Sequence, residues 1–473
     1  MRDSSTSIES WQRELHGVHD ETAWLARLNN VLTGLAREGH PLASFTLDSV
    51  TVPGEATKRD SRLALLHLQL DPGPVVRLDS ILIRGNNITK TNVLLRELPI
   101  RPGDKFNLAE VASIPERLMR LGFLQAVAPP QLRRTSAGRY LLDLTVTEGN
   151  SNFLNGVAGY TPGSGGERGF LTGLIDLKFG NLLGTGRLVN ARWEKRSRAT
   201  QELALRYREP WVAGWPLHLT GGFQQLIQDT LYVERRWEVT AEIPAGQKVT
   251  LIGQLVRATV SPDSLAAVQF GLPESRVTGA AVGLRYDSRD DLRNPRSGVY
   301  YATSLETGRK RVARNADRQT FSRKKLFIDF EWLLPVRGPQ VLSLSLRGRD
   351  VTSGEPFLAI TDQVRFGGAT SLRGYREEQF RGSRVAWSNL EYRYLLSRQS
   401  RAFVFLDLGY YFREEPQAGT VPQARAKVEA VKRAWGLGAR VDTPLGIVGL
   451  DYGLGEGDAL LNGKVHVSLV NSF

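Results

Sequence analysis

Asp329 and Glu331 stand two residues apart in a segment that alternates polar and apolar side chains, so both carboxylates fall on one face of a strand. Two carboxylates at that spacing resemble a general acid–base pair, but on the charged face of such a strand solvated or ion-paired side chains explain them better. Gly163–Gly169 reads GSGGERG, glycine-rich enough to suggest a phosphate cradle, but no Lys-Ser/Thr and no helix pattern follow it. It reads better as a hairpin connection. The six histidines, at 16, 19, 40, 67, 218 and 466, form no H-E-x-x-H. His16 and His19, at i and i+3, could hold a metal weakly, yet surface histidines explain them as well. There is no cysteine, which removes thiolate metal sites, disulfides and a cysteine nucleophile. No G-x-S-x-G and no G-x-x-x-x-G-K-[ST] occurs. These residues predict no enzyme, no cofactor and no metal.

The side chains sit on elements of two kinds. At 473 residues the chain is long for one domain, and 41% hydrophobic with 23% charged residues excludes a disordered polypeptide. No run approaches the ~18 apolar residues of a membrane helix. The net charge of +13 invites a nucleic-acid reading, but the basic residues are spread along the whole length and no helix or tail carries a block. Met1–Ser10 has no basic start, apolar stretch or small-residue cleavage site. The remainder of the chain points outside the cytoplasm, so the expectation is that the natural start is missing or misassigned and that the signal peptide lies upstream.

Residues 21–38 space Trp24, Leu28, Val31, Leu32 and Leu35 on one helical face, and Gly39 supplies a stop. Leu42–Val52 and Ser61–Leu70 follow as strands. The next unit is fuller. Val75–Arg84 predicts a strand, Thr89–Glu97 a short helix, Leu108–Leu121 a helix capped by Asn107, and Phe123–Ala128 and Arg139–Thr147 two strands. The first unit repeats this order without the opening strand. Boundaries follow at 1–74, 75–149 and 150–473.

From 151 onward there is no convincing helix, and about sixteen strand patterns recur at about 20 residues per strand plus connection, which fits membrane strands of ~9–11 residues. Leu342, Leu344 and Leu346 alternate with Ser343, Ser345, Arg347 and Arg349. Val404, Leu406 and Leu408 alternate with Phe403, Phe405 and Asp407. One face is apolar and aromatic, the other charged. A soluble sandwich would bury the first face, and an outer-membrane barrel would turn it to lipid. Alternation alone leaves both open, although sixteen strands in one run is long for a sandwich. Much of the basic charge would then face the barrel lumen, which argues against nucleic acid. The last segment, Lys464–Phe473, alternates Val465, Val467 and Leu469 and ends on Phe473, as the final strands of bacterial outer-membrane barrels do.

Residues 366–382, FGGATSLRGYREEQFRG, resemble the inward-folding loop of the POTRA-barrel assembly and translocation superfamily of BamA/TamA type. The match lies in Gly367-Gly368 and in Ser371-Leu372-Arg373-Gly374-Tyr375. Tyr286–Asp290 with Asn294-Pro295, Gly298 and Tyr300 is similar to its mid-barrel hairpin. Phe405-Leu406-Asp407-Leu408-Gly409 is similar to its F-x-D-x-G strand, and Gly436–Arg440 through Asp451-Tyr452-Gly453 to its penultimate hairpin. Ile83-Arg84-Gly85-Asn86 resembles a POTRA opening strand. The resemblance implies α+β POTRA repeats followed by an all-β transmembrane barrel of about 16 antiparallel strands, in the bacterial outer membrane with the POTRA units in the periplasm. It implies that Arg373 folds into the lumen and pairs there with Asp407, with Glu391 and Asp451 as alternative partners, Gly374 allowing the tight backbone and Tyr375 packing beside it.

The first strand, Phe153–Tyr160, holds Gly156 and Gly159 and few β-branched residues, so its closing pairing with Lys464–Phe473 should be weak. A weak seam could open and offer its edge to a client strand. The implied function is insertion of unfolded outer-membrane barrel clients, with the lipid bilayer and periplasmic or lipoprotein accessory subunits as further partners. The alternative is a two-partner-type translocator that exports a dedicated protein through its lumen. A soluble all-β binding protein is a third reading, which extraction without detergent would favour.

Overall fold

The computed structural model describes residues 21–51, 65–161, 170–195, 198–229, 231–264, 267, 272–291, 294–314, 317–416, 425–443 and 446–470. His16, His19, the Gly163–Gly169 segment and Phe473 lie outside them. The chain divides into two compact units, Met1–Asn150 with Leu183–Thr185, and Ser151–Leu182 with Gly186–Phe473.

The first unit opens with helix α1 (Glu21–Arg37), then β1 (Ser44–Thr51) and β2 (Leu65–Asp71), which pair antiparallel. Val31, Leu35 and Ala36 carry its buried face, while Trp24 and Leu28 are only half-buried. Next come β3 (Leu78–Arg84), α2 (Thr91–Leu95), α3 (Leu108–Met119), β4 (Leu124–Val127), β5 (Gln131–Arg134) and β6 (Tyr140–Glu148). β6 is the hub, parallel to β3 and antiparallel to β4 and β5. The short β5 was not expected, because Pro129-Pro130 reads as a break. Leu78, Leu94, Ile100, Ile114, Leu118, Leu142 and Leu144 are fully buried between sheet and helices. Asn107 caps α3, its Oδ1 accepting from the amides of Ala109 at 2.9 Å and Glu110 at 3.3 Å.

The second unit is one sheet of sixteen antiparallel strands in sequence order. Its first half is β7 (Asn152–Thr161), β8 (Phe170–Leu182), β9 (Arg187–Lys195), β10 (Gln201–Glu209), β11 (His218–Gln228), β12 (Tyr232–Pro244), β13 (Val249–Pro262) and β14 (Glu274–Asp287). Then follow β15 (Gly298–Arg314), β16 (Asp317–Pro335) and β17 (Gln340–Ser353). A separate two-stranded hairpin, β18 (Val364–Phe366) with β19 (Phe380–Gly382), interrupts the run. The sheet resumes with β20 (Arg384–Leu395), β21 (Arg401–Pro416), β22 (Arg425–Thr443), β23 (Gly446–Gly455) and β24 (Lys464–Val470).

Alternation decides the two faces. Leu406, Leu408, Trp435, Leu437 and Val467 are exposed outward, whereas Phe403, Phe405 and Asp407 are buried inside. No helix among the described residues is long and apolar enough to cross a membrane. The outward apolar surface instead belongs on lipid. The ends of the sheet, β7 and β24, come next to each other, closing it into a barrel. The expected strand pairing between them is not there: among the described residues β7 shares a ladder only with β8 and β24 only with β23. Gly156 leaves the edge strand without a side chain to pack, which weakens any ladder at this place. Val465 and Val467 are exposed on β24, and Leu469 continues its register against Val448.

Candidate functional site

Arg373 sits on the 354–383 connection between β17 and β20, and its guanidinium is spent on two walls at once. Its Nε and Nη2 donate to the two oxygens of Asp407 on β21 at 2.9 and 2.7 Å, and its backbone N–H donates to Asp407 Oδ2 at 3.0 Å. Its Nη1 donates to Glu391 Oε1 on β20 at 2.6 Å. Asp407 is 0% exposed, so these hydrogen bonds are made out of reach of solvent. The planar fork of arginine serves both carboxylates, which a lysine could not match. Phe405 lies flat beneath it, with the guanidinium carbon 3.7 Å from the ring centroid.

Glu391 is therefore a simultaneous partner of Arg373 rather than an alternative to Asp407. Asp451 is not a partner at all. It holds Arg440 bidentately at 2.7 and 2.8 Å, because Arg440 on β22 reaches it diagonally across the β22–β23 ladder while Arg373 already has both carboxylates. Against β23 it is the loop backbone at Arg373 and Gly374, not the Arg373 side chain, that makes the approach.

That close approach depends on glycine. Gly374 has φ +85°, and a Cβ there would fall 2.7 Å from Gly455 N. On the facing strand a Cβ at Gly453 would fall 2.5 Å from Gly374 N. Gly409 does the same for Leu372, whose methyl would lie 2.9 Å from an added Cβ. The wall of β21 and β23 is thus smooth where the loop lies on it. Ser371 Oγ accepts from the Gly367 amide at 2.7 Å, Asn389 Nδ2 donates to Ser371 O at 2.8 Å, and Gly368 N–H donates to Leu372 O at 3.0 Å. Tyr375 donates its hydroxyl to Arg433 O at 2.9 Å and accepts from the Glu456 amide at 3.0 Å. Its ring meets Phe380 edge-on at 5.0 Å, in an aromatic cluster with Phe366, Trp387 and Tyr411.

Sequence reasoning missed how far the polar net extends. Glu391 Oε2 also accepts from Arg393 Nε at 2.7 Å; Arg393 faces Glu331 at 3.8 Å; and Glu331 accepts from Arg289 at 3.0 Å. Arg289 is in turn gripped by Asp287 at 2.8 Å. The Asp329–Glu331 pair belongs to this lattice: Asp329 accepts from Arg349 at 2.5 Å. Each carboxylate is committed to arginine, which leaves no free acid–base couple. The far side of the loop is tied as well. Lys310 on β15 donates to Glu355 at 2.9 Å and to Asp362 at 2.5 Å, while Arg323 on β16 bridges Asp362 and Glu306 at 2.6 Å each. Arg365 donates to the Tyr232 hydroxyl on β12 at 2.7 Å. The loop crosses the lumen from β12 to β23. No group of His, Asp and Glu suited to holding a metal ion occurs among the described residues.

In the seam strands, Phe153 packs under Lys178 Nζ, which lies 5.1 Å from its ring centroid. Gly159 pairs with Thr172 in the β7–β8 ladder. None of the sequence-predicted seam residues is joined across β7 and β24 by a ladder among the described residues.

Comparison with known proteins agrees with this architecture. Residues 181–459 match the Omp85 superfamily domain, and residues 76–149 match the POTRA family described as a surface antigen variable number repeat. The outer membrane protein assembly factor BamA of Nitratidesulfovibrio vulgaris is 22% identical over 408 residues, covering 80% of this chain and 48% of that protein. A relative from Treponema pallidum is 30% identical over 161 residues, 33% of this chain and 19% of its own. The chain thus spans about half or less of the length of the curated relatives it matches. Among solved structures, BamA from Haemophilus ducreyi lacking POTRA domains 1–3 shares the fold with TM-score 0.60 at 15% identity, over 100% of this chain and 99% of that one. CdiB from Acinetobacter baumannii does so with TM-score 0.57 at 15% identity, over 99% and 86%. A periplasmic POTRA segment, a sixteen-stranded outer-membrane barrel and a matching domain over most of that barrel establish that the chain belongs to the Omp85 superfamily.

Proposed function

We propose that this protein assembles other outer-membrane barrels: it receives unfolded clients through its POTRA region and inserts them at the β7–β24 seam. The observation that carries this reading is the seam itself, two neighbouring edge strands with no ladder between them among the described residues. Unpaired backbone donors and acceptors on such an edge are a template for an incoming strand. Among the described residues every other pair of neighbouring barrel strands shares a ladder, so opening costs least here. The Arg373 anchor keeps the loop against β20, β21 and β23, the part of the wall that leads to β24. It stiffens one side of the seam while β7 is left free to move. No covalent bond changes in this cycle, and the lipid bilayer is a direct participant. Periplasmic or lipoprotein accessory subunits would dock on the POTRA region.

A second reading, export of a dedicated partner through the lumen, is favoured by the fold shared with CdiB. Against it, α1 packs against α3 and runs into the β1–β2 hairpin, as an element of a POTRA-like unit does, rather than standing apart as a pore plug.

The test is reconstitution of the purified protein in liposomes with a urea-unfolded barrel client, beside an Arg373→Ala variant. Faster client folding with the wild type, lost in the variant, is expected. Vesicles that become ion-permeable with no gain in client folding would replace insertion by translocation.

A further inference from the structure

Many basic side chains of β12–β16 turn away from the lumen. These strands pair without a bulge, so their outward positions align in rows. One row joins Arg235, Thr259, Arg276 and Arg311; the next joins Trp237, Arg257, Thr278 and Arg309; Lys324 stands opposite Thr307 in the row after that. All six cations are exposed. Immediately below them the outward face turns apolar, with Leu255, Val282, Leu305 and Leu326 exposed. The meander leaves the periplasmic segment at Asn152 and reverses at every hairpin, so this end of β12–β16 is the outer one.

Such a patch is unfavourable on its own. Arg276 lies directly across the β14–β15 ladder from Arg311, and like charges in that relation destabilise a sheet. Arg235 bonds to Gln225 at 2.8 Å, a neutral partner. Among the described residues the other five cations have no carboxylate. The lone outward acid on these strands is Glu274, at the extreme end opposite Ala313. The opposite flank is balanced: Arg384 pairs with Asp350 at 3.3 Å, Tyr410 donates to Glu429 at 2.9 Å, and Lys427 faces Glu414.

We propose that the outer end of β12–β16 is a binding site for a phosphorylated lipid of the outer leaflet. Guanidinium forks receive phosphate oxygens bidentately, and the Thr259 and Thr278 hydroxyls between them add donors. Adjacent strands lie ~5 Å apart, so Arg257, Arg276, Arg309 and Arg311 can converge on one phosphate-bearing headgroup. The apolar rows beneath take its acyl chains. A soluble polyanion would leave those rows unused, whereas a lipid satisfies both. The site rests on outer-membrane placement and is independent of whether the barrel inserts or exports proteins.

Native mass spectrometry of the detergent-solubilised full chain, titrated with bis-phosphorylated lipid A, tests this. The expected result is a retained lipid adduct, about tenfold weaker in an Arg276→Gln/Arg311→Gln variant and unchanged in Lys427→Gln on the balanced flank. Dephosphorylated lipid A should bind no better than to the variant, and millimolar inorganic phosphate should not displace the adduct. Equal adducts in wild type and variant, equal binding of the dephosphorylated lipid, or displacement by inorganic phosphate would each overturn the proposal. Thermal unfolding guards against a folding artefact: without lipid the double variant should melt no lower than wild type, since a repulsive pair is removed, and only the wild type should gain stability on adding lipid A. An Arg257→Gln/Arg309→Gln variant repeats the measurement on the neighbouring row.

Discussion

Arg373 is the residue where charge, geometry and burial meet. Removing one partner of a buried, hydrogen-bonded ion pair costs about 3–5 kcal/mol, because the other is left charged and dry. Asp407 receives three hydrogen bonds from Arg373 and Glu391 receives one, so Asp407→Asn should impair client folding more than Glu391→Gln. Arg373→Lys should behave nearly as Arg373→Ala in the liposome assay, since an ammonium cannot span both carboxylates. Recovery of wild-type rates by lysine would mean that charge alone matters. Glu148 is the second residue with a testable role. Burial by itself would raise its carboxyl, but the Thr89 hydroxyl and the amides of Ile88, Thr89 and Asn87 hold it below the ordinary carboxylate range. A depressed folded-state value stabilises the folded unit fully above about pH 4.3 and loses that contribution as pH falls through the folded value. Glu148→Gln should therefore speed hydrogen exchange at Asn87–Thr89 at pH 7, by roughly 1 kcal/mol of local stability. The difference should close as pH falls through the depressed folded-state value.

At the scale of elements, the loop and the wall it lies on were shaped together. Gly374 and Gly453 meet backbone to backbone, and neither can accept a methyl without displacement. Gly374→Ala should lift the loop from β23 while leaving the ladders of β20–β24 intact. Exposed Arg376 immediately follows the anchored stretch, so trypsin cleavage there should rise in this variant and remain slow in wild type. Unchanged cleavage would show that the glycine contact does not hold the loop. The POTRA unit has its own core around Ile114, Leu118 and Leu142. Asn107→Ala, which removes the cap of α3, should destabilise it by about 1 kcal/mol without affecting the barrel's resistance to unfolding in gels.

For the whole molecule, among the described residues the first and last strands of the barrel share no ladder, whereas every other neighbouring pair of its strands does. The absence of native cysteine makes that seam accessible to crosslinking without background. Leu154→Cys combined in turn with Val465→Cys or Val467→Cys should yield an oxidisable pair. Oxidation should stop client insertion and reduction should restore it. Full activity of an efficiently crosslinked barrel would remove lateral opening from the mechanism and leave the lumen as the route.

The sequence by itself determined which way side chains face. Period-two alternation is local, so Asp407 inward with Leu406 and Leu408 outward could be read from one strand, as could sixteen strands from the recurrence of such segments. The motif around Arg373 also marked the loop that enters the lumen. Only the tertiary structure decided who stands opposite whom. Arg393, Glu331 and Arg289 form a chain because β20, β16 and the β14–β15 turn reach one depth in the barrel, and Asp451 goes to Arg440 for the same reason. The crowding of Arg276 against Arg311 likewise appears only when the β14–β15 register is known. Alternation sets a face but carries no height, and height comes from the ladders that join strands distant in sequence.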